Sequence, residues 1–344
     1  MSDVEPPILF SVAPDYYRFA VAELRAALDV TKVQRVGPDA GVAHLGSGDL
    51  AGAADACWGG EIPLVRHLAR ADAVRGAGSV DTAAALAEWA ASVLLAALDV
   101  GDTISLHTWD SGDAGFAPGK VRRPLLELLL DNGIRVVTTG ADTVGSVCIG
   151  TDRITAGVNP AAVSLCDWPG GRIRLATRPE QVSRAEFKLE ELFSYVEAPR
   201  GDVAVDLGAS PGGWTRIVHS QRFRTVHSVD PAALDERVLA LPGVIHHRQT
   251  AGDFVKAYDG EAVDLIVNDM RMVPQLTAHT MVEAARLLRP GGSAIVTLKL
   301  GTNNPEKQID DALAVLTQAY DPSFMRQLQH NRHEVTVVAT RRAT

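Results

Sequence analysis

Val203-Ala204-Val205-Asp206-Leu207-Gly208-Ala209-Ser210-Pro211-Gly212-Gly213-Trp214 is the stretch that decides the fold. Three apolar residues end in an acid, and a glycine-rich turn follows at once. The pattern predicts a buried strand that runs into a tight loop and opens a helix. Glycine in such a loop lets the backbone approach a ligand closely and take torsions that a Cβ forbids.

The flanking sequence repeats this rhythm. Helices are predicted over 183–193, 213–219, 277–288 and 305–319. Strands are predicted over 203–207, 225–229, 244–247, 263–268, 293–298 and 334–339. Such alternation builds a parallel sheet with helices on both faces, and ligands bind at the carboxyl ends of its strands. Upstream, short strands and helices form two smaller α+β pieces, residues 1–75 and 76–166. The run Asp167-Trp168-Pro169-Gly170-Gly171 reads as the linker to the third domain, residues 167–344.

With 46% apolar and 22% charged residues among 344, the composition is that of a soluble globular protein. The opening Met1-Ser2-Asp3-Val4-Glu5-Pro6-Pro7 lacks the basic and apolar regions of a secretion signal, and no apolar run is long enough for a membrane span. Cys57, Cys148 and Cys166 lie far apart, without disulfide-framework or zinc spacing, so no metal is expected and a reducing cytoplasm is. The net charge of −9 is unevenly shared: residues 1–165 carry −8 and residues 166–344 carry −1. An acidic first half argues against broad phosphate binding there.

The loop does not have the G-x-G-x-x-G spacing of a nicotinamide site. Asp206 stands two residues before Gly208, where a carboxylate would repel a pyrophosphate but attract the ammonium of an amino-acid tail. The next strand ends in Asp230, about twenty residues on, at the position of ribose hydroxyls. Asp253 follows the third strand and is placed to accept from an adenine amino group. These acids favour S-adenosylmethionine as the cofactor.

The end of the fourth strand, Asn268-Asp269-Met270-Arg271, lacks the D/N-P-P-Y/F signature of amino methyltransferases. No cysteine nucleophile lies beyond Cys166. The fifth strand closes instead on Lys299. Desolvation and neighbouring cations favour the neutral form of a lysine, which makes Lys299 a candidate general base for a poor nucleophile such as a ribose hydroxyl. Lys188, on the helix before the glycine loop, and Glu334, opening the last strand, complete a set. Arg172, Arg174, Arg178 and Arg184 form a basic stretch suited to RNA phosphates.

Together these residues resemble the FtsJ-like ribose 2′-O-methyltransferases. The motifs are Ser183-Arg184-Ala185-x-Phe187-Lys188-Leu189-Glu190-Glu191, Asn268-Asp269-Met270, Leu298-Lys299-Leu300 and Arg332-His333-Glu334-Val335-Thr336-Val337, in that order. The layout before them, with Ile8 to Pro14 and Trp168 to Glu191, is similar to the RlmM-type subgroup acting on large-subunit ribosomal RNA. The resemblance implies a Rossmann-like class I methyltransferase domain with a mostly parallel seven-stranded sheet, preceded by an α+β THUMP-like region. It implies a catalytic tetrad of Lys188, Asp269, Lys299 and Glu334, with Lys299 as base and a cytidine as target. Asp206, Gly208, Gly212 and Gly213 would surround the methionine moiety of the cofactor, Ser210, Pro211 and Trp214 would bind the cofactor as well, and Asp269 would lie near the methyl group. The partner implied is ribosomal RNA or an assembly precursor, with no membrane; oligomeric state stays open. Two other readings stay open as well: a small-molecule O-methyltransferase, and an RNA-binding ribosome-assembly factor with a vestigial cofactor site.

Overall fold

The computed structural model describes residues 5–113, 115–301 and 303–343. The opening Met1–Val4, part of the stretch read for a secretion signal, lies outside them. The chain divides into two compact units, Met1–Ile173 and Arg174–Thr344.

The first unit holds two sheets. Strands β1 (Ile8–Val12), β2 (Val30–Gly37), β3 (Ala40–Leu45) and β4 (Val65–Arg70) form an antiparallel sheet in the order β2-β3-β1-β4, accompanied by helices α1 (Tyr17–Ala27) and α2 (Leu50–Trp58). The second sheet, in the order β5-β9-β8-β6-β7, comprises β5 (Ala73–Gly76), β6 (Thr103–Ser111), β7 (Arg135–Val137), β8 (Thr143–Gly150) and β9 (Arg153–Pro160). Helices α3 (Ala83–Leu95) and α4 (Pro118–Asp131) cover it. Leu86, Ala90 and Leu94 recur every four residues on α3 and are buried with Val121, Leu125 and Leu129 of α4. The cap of α3 is Thr82, whose hydroxyl accepts from Ala85 N.

The Asp167–Gly171 run is not a free linker. Ser11 Oγ donates to Gly170 O at 2.8 Å, and a Cβ on Gly170 would stand 2.7 Å from the Trp109 ring. The glycines that read as a chain break instead let the backbone lie flat against that ring, so the division falls after Ile173.

The second unit is a mixed, parallel-rich α/β sandwich. Its strands are β10 (Val203–Leu207), β11 (Thr225–Val229), β12 (Val244–His247), β13 (Val263–Asn268), β14 (Leu288–Lys299), β15 (Tyr320–Arg326) and β16 (Glu334–Arg341). They form one seven-stranded sheet in the order β12-β11-β10-β13-β14-β16-β15. The first five run parallel, and β16 pairs antiparallel with both β14 and β15. β10 is buried along its whole length, as a strand covered on both faces must be. The helices are α5 (Glu186–Leu192), α6 (Gly213–Ser220), α7 (Glu236–Leu239), α8 (Ala251–Ala257), α9 (Pro274–Ala284) and α10 (Pro305–Leu316).

From β10 the chain first builds outward through β11 and β12, then returns to add β13 on the other side. The sheet therefore reverses its order between β10 and β13, and helices leave on opposite faces there. This opens a crevice at the strands' carboxyl ends, where open α/β sheets bind ligands.

Candidate active site

Four chain segments converge on the carboxyl edge of that sheet. Lys188 projects from α5, Asp269 follows β13, Lys299 ends β14 and Glu334 begins β16. Because β16 runs antiparallel to β14, its first residue meets the last residue of β14: Lys299 and Glu334 are register partners.

The four side chains form a closed ring of alternating charge. Lys188 Nζ donates to both carboxylate oxygens of Asp269 at 3.0 Å and lies 2.6 Å from Glu334 Oε1. Lys299 Nζ donates to Asp269 Oδ1 and to Glu334 Oε2. Thr297, two residues before Lys299 on the same face of β14, donates its hydroxyl to Asp269 Oδ1 at 2.7 Å. Sequence reading missed Thr297, because a threonine in a strand carries no signal of its own.

All four are largely withdrawn from water: Lys188 and Asp269 are 13% and 15% exposed, Lys299 and Glu334 22% and 7%. Burial works against the charge on Lys188, but the carboxylates of Asp269 and Glu334 outweigh it and hold its pKa above the usual lysine value. Burial likewise pushes the Asp269 carboxyl up, and the adjacent Lys188 and Lys299 outweigh that, leaving it below the ordinary carboxylate range.

Two clefts meet at this ring. One, of about 610 Å³, is walled by Gly208, Ser210, Pro211, Gly213, Trp214 and Asp230, with Thr250 and Asp269 further along. The other, of about 960 Å³, is walled by Phe187, Lys188, Asp269, Lys299, His330 and Glu334, with three arginines at its margin. Asp269, Ala185 and Arg271 belong to both linings.

The smaller cleft is built as the glycine loop suggests. Gly208 has φ +81°, and a Cβ there would stand 2.3 Å from Met270 Cγ. Gly212 has φ +112° and caps α6; its neighbours line the cleft, while Gly212 itself packs toward Val238. Asp230 accepts Ser210 N at 3.1 Å and Ala232 N at 2.8 Å, which fixes the loop and leaves lone pairs toward the cleft. Trp214 Nε1 donates to Ala185 O at 2.8 Å, tying the loop helix to the turn before α5. Ser183 Oγ, in the cleft wall, is a buried hydroxyl without a partner among the described residues. A groove lined by the left-handed Gly208, with an unsatisfied hydroxyl and an acid at a strand end, fits a nucleoside-bearing cofactor.

Two sequence-predicted cofactor residues lie elsewhere. Asp206 is outside the cleft lining and buried: its Oδ2 accepts from Thr215 Oγ1 at 2.7 Å. Burial pushes its carboxyl up to about 7. It stands behind the loop, paired with the first turn of α6 through Thr215. Asp253 sits exposed in the first turn of α8, where its carboxylate accepts from the helix-capping hydroxyl of Thr250 at 2.7 Å. The cleft wall at that end is Thr250 and Ala251. The sequence did not reveal that a short helix starts there and turns Asp253 to solvent.

The four predicted RNA-facing arginines also separate. Arg172 belongs to the first unit, where it pairs with Asp39 at 2.8 Å and Asp110 at 2.7 Å. Arg178 pairs with Glu190 at 2.9 Å. Arg174 is exposed, and Arg184 alone of the four lines the larger cleft. That lining adds Arg271 and Arg332, which the sequence reading did not select.

A further acid holds the site from outside. Glu191, one turn after Lys188 on α5, is buried; it accepts Gln329 N at 2.6 Å, His330 N at 2.8 Å and His330 Nδ1 at 2.6 Å. It thereby fixes the loop that delivers Glu334. Among the described residues no group of three or more His, Cys, Asp or Glu side chains could hold a metal, and no helix is long and apolar enough to cross a membrane.

Residues 181–340 match the family model described as FtsJ-like methyltransferase. Over 194 residues the chain is 34% identical to "Ribosomal RNA large subunit methyltransferase M" of Halorhodospira halophila, covering 55% of this chain and 55% of that protein. It is 31% identical over 236 residues to the protein of the same name from Alkalilimnicola ehrlichii, covering 64% and 63%. The chain spans about half the length of the curated relatives it matches. Among solved structures, TrmN from Thermus thermophilus aligns with a TM-score of 0.41 and 15% identity, over 97% of this chain and 99% of that one.

Proposed function

We propose, on the premise that residues 181–340 are an FtsJ-like methyltransferase domain, that the protein methylates a ribose 2′-hydroxyl of RNA with S-adenosylmethionine. We further propose large-subunit ribosomal RNA as substrate, a cytidine as target, and residues 76–166 as a THUMP-like module. The observation that carries the reading is the ring of Lys188, Asp269, Lys299 and Glu334, set where the two clefts share a wall.

S-adenosylmethionine, when bound, supplies an electrophilic methyl group on a sulfonium, which leaves as a neutral thioether. Gly208 to Gly213, Asp230 and Thr250 would hold it in the smaller cleft. A ribose hydroxyl reaching the ring from the larger cleft meets Lys299 Nζ. Both lysines bond both carboxylates, and Lys299, the more exposed of the two at 22% against 13%, is assigned as the amine that exchanges a proton. Lys299 Nζ would take the proton of that hydroxyl, which makes the oxygen a nucleophile toward the methyl group the cofactor would supply. Asp269 and Glu334 orient the amine and stabilise the ammonium produced. The ring is fixed before substrate arrives, so little reorganisation is needed during the step.

The test is a map of 2′-O-methylation across ribosomal and transfer RNA in cells with and without the gene, followed by addition of purified wild type or Lys299→Ala to the unmodified RNA. One ribose methyl lost with the gene and restored only by wild type supports the reading. An unchanged map leaves the assembly-factor alternative standing and removes this one.

A further inference from the structure

The larger cleft carries more positive charge than proton transfer at Lys299 requires. Its acids, Asp269 and Glu334, are occupied by Lys188 and Lys299. Arg184, Arg271 and Arg332 line it too, all exposed, and their guanidinium groups make no hydrogen bond or ion pair among the described residues. Elsewhere in the unit Arg178, Arg216, Arg224, Arg237 and Arg289 each lie against an acid. Residues 166–344 together carry a net charge of only −1. The uncompensated arginines gathered in this concavity therefore mark a place for an anion.

Their positions follow from the sheet. β14 lies between β13 and β16, so Lys299 is flanked by the ends of both. Arg271 comes two residues after Asp269 as the chain leaves β13. Arg332 comes two residues before Glu334 as the chain enters β16. In the chain, Arg271 thus follows Asp269 on the β13 side of Lys299 and Arg332 precedes Glu334 on the β16 side.

A ribose within a polynucleotide has a phosphate on each side, and guanidinium is the side chain whose fork matches a phosphate. Resting on the ribose-methylation reading, we infer that Arg271 and Arg332 grip the two phosphates flanking the nucleotide whose 2′-hydroxyl faces Lys299. The site then accepts an internal nucleotide of an RNA strand and rejects a nucleoside, a mononucleotide or a small alcohol, none of which engages both arginines.

The test uses the full chain and a fluorescein-labelled oligocytidylate, with affinity read by anisotropy across a potassium chloride series. Arg332→Glu and Arg271→Glu should each weaken binding about tenfold or more and lower the slope of log affinity against log salt by about one. Arg178→Gln, which disturbs only the pair with Glu190, should bind as wild type does. Because Arg271 also borders the smaller cleft, S-adenosylmethionine affinity is measured alongside; Arg332→Glu should leave it unchanged. In parallel, wild type is offered cytidine, cytidine monophosphate and unmodified ribosomal RNA.

Wild-type affinity and salt slope in both glutamate variants would overturn the grip, as would methylation of cytidine at the rate of RNA. RNA methylated by wild type with indifferent arginine variants sinks the grip and spares the proposed activity. RNA bound in the arginine-dependent way but never methylated spares the grip and sinks the activity.

Discussion

Lys299 and Glu334 face each other as the last residue of β14 and the first of β16, paired in register and joined by an ion pair. Antiparallel pairing of β16 with β14, beside five parallel strands, brings an acid from the far end of the chain onto a strand terminus. The backbone ladder itself therefore sets the position of the amine.

Replacing Lys299 with alanine should lower methyl transfer by at least two to four orders of magnitude, the range for removal of a positioned acid–base group. Affinity for S-adenosylmethionine, measured by calorimetry, should stay within a few-fold, since Lys299 is not in the smaller cleft's lining. Turnover near the wild-type rate would reject the base assignment.

Lys188→Met should destabilise the domain by about 3–5 kcal/mol, the cost of leaving buried charge with one partner removed. Lys188 touches both Asp269 and Glu334; without it Glu334 would keep Lys299, and Asp269 would keep Lys299 and the Thr297 hydroxyl. Chemical denaturation of the variant measures the loss. The double variant Lys188→Met, Asp269→Leu should recover part of it.

Asp206 gives a pH signature. Its carboxyl is raised from 3.8 to about 7 by burial, so the folded chain holds this proton where the unfolded chain has released it. Through this group, stability is greatest below the unfolded value, falls as pH rises from about 4 to about 7, and is level above. Asp206→Asn keeps a side-chain oxygen for Thr215 and removes the ionisation. The variant should therefore gain on wild type by a few kcal/mol across that window, read from melting temperatures at successive pH values. A constant difference between the two curves would show that the carboxyl does not titrate there.

Gly208→Ala should reduce cofactor affinity at least tenfold while leaving the first unit intact. A left-handed alanine costs roughly 1–2 kcal/mol, and its Cβ would push against Met270 beside Asp269. Equilibrium dialysis with labelled S-adenosylmethionine checks it.

Glu191→Gln should act on rate rather than on cofactor binding. The carboxylate receives two backbone N–H groups and His330 from the loop before Glu334, and an amide offers one acceptor oxygen in place of two. A fall in kcat with unchanged S-adenosylmethionine affinity, largely recovered in Glu191→Asp, is the expected result. Equal loss in both properties would mark a general folding defect instead.

The strands β10 and β13 were legible in the sequence because both faces of each are covered or nearly so, which leaves compact apolar runs between turn signals. The four ring residues were legible for a related reason: each sits at or beside an element end that the hydrophobic pattern locates. β15 was not, since Tyr320-Asp321-Pro322-Ser323 looks like a loop and becomes an edge strand only by pairing with β16. Nor was the fate of the arginines. Arg172 is held by Asp39 and Asp110, residues distant in sequence, while Arg271 and Arg332 owe their importance to lining one cavity. A side chain's partner across the fold leaves no local trace. Asp253 misled for the opposite reason, because a plausible spacing concealed a helix cap.

Asp269 and Arg271 form a partition common to both clefts, and this has a thermodynamic consequence. A ligand on one side that acted on this wall would alter the field and the packing felt on the other, and such an influence is reciprocal. By whatever factor the ligand of the larger cleft tightens or loosens the ligand of the smaller one, the smaller must change the larger by the same factor. A single carboxylate–guanidinium wall would thus carry one coupling factor felt equally from both sides.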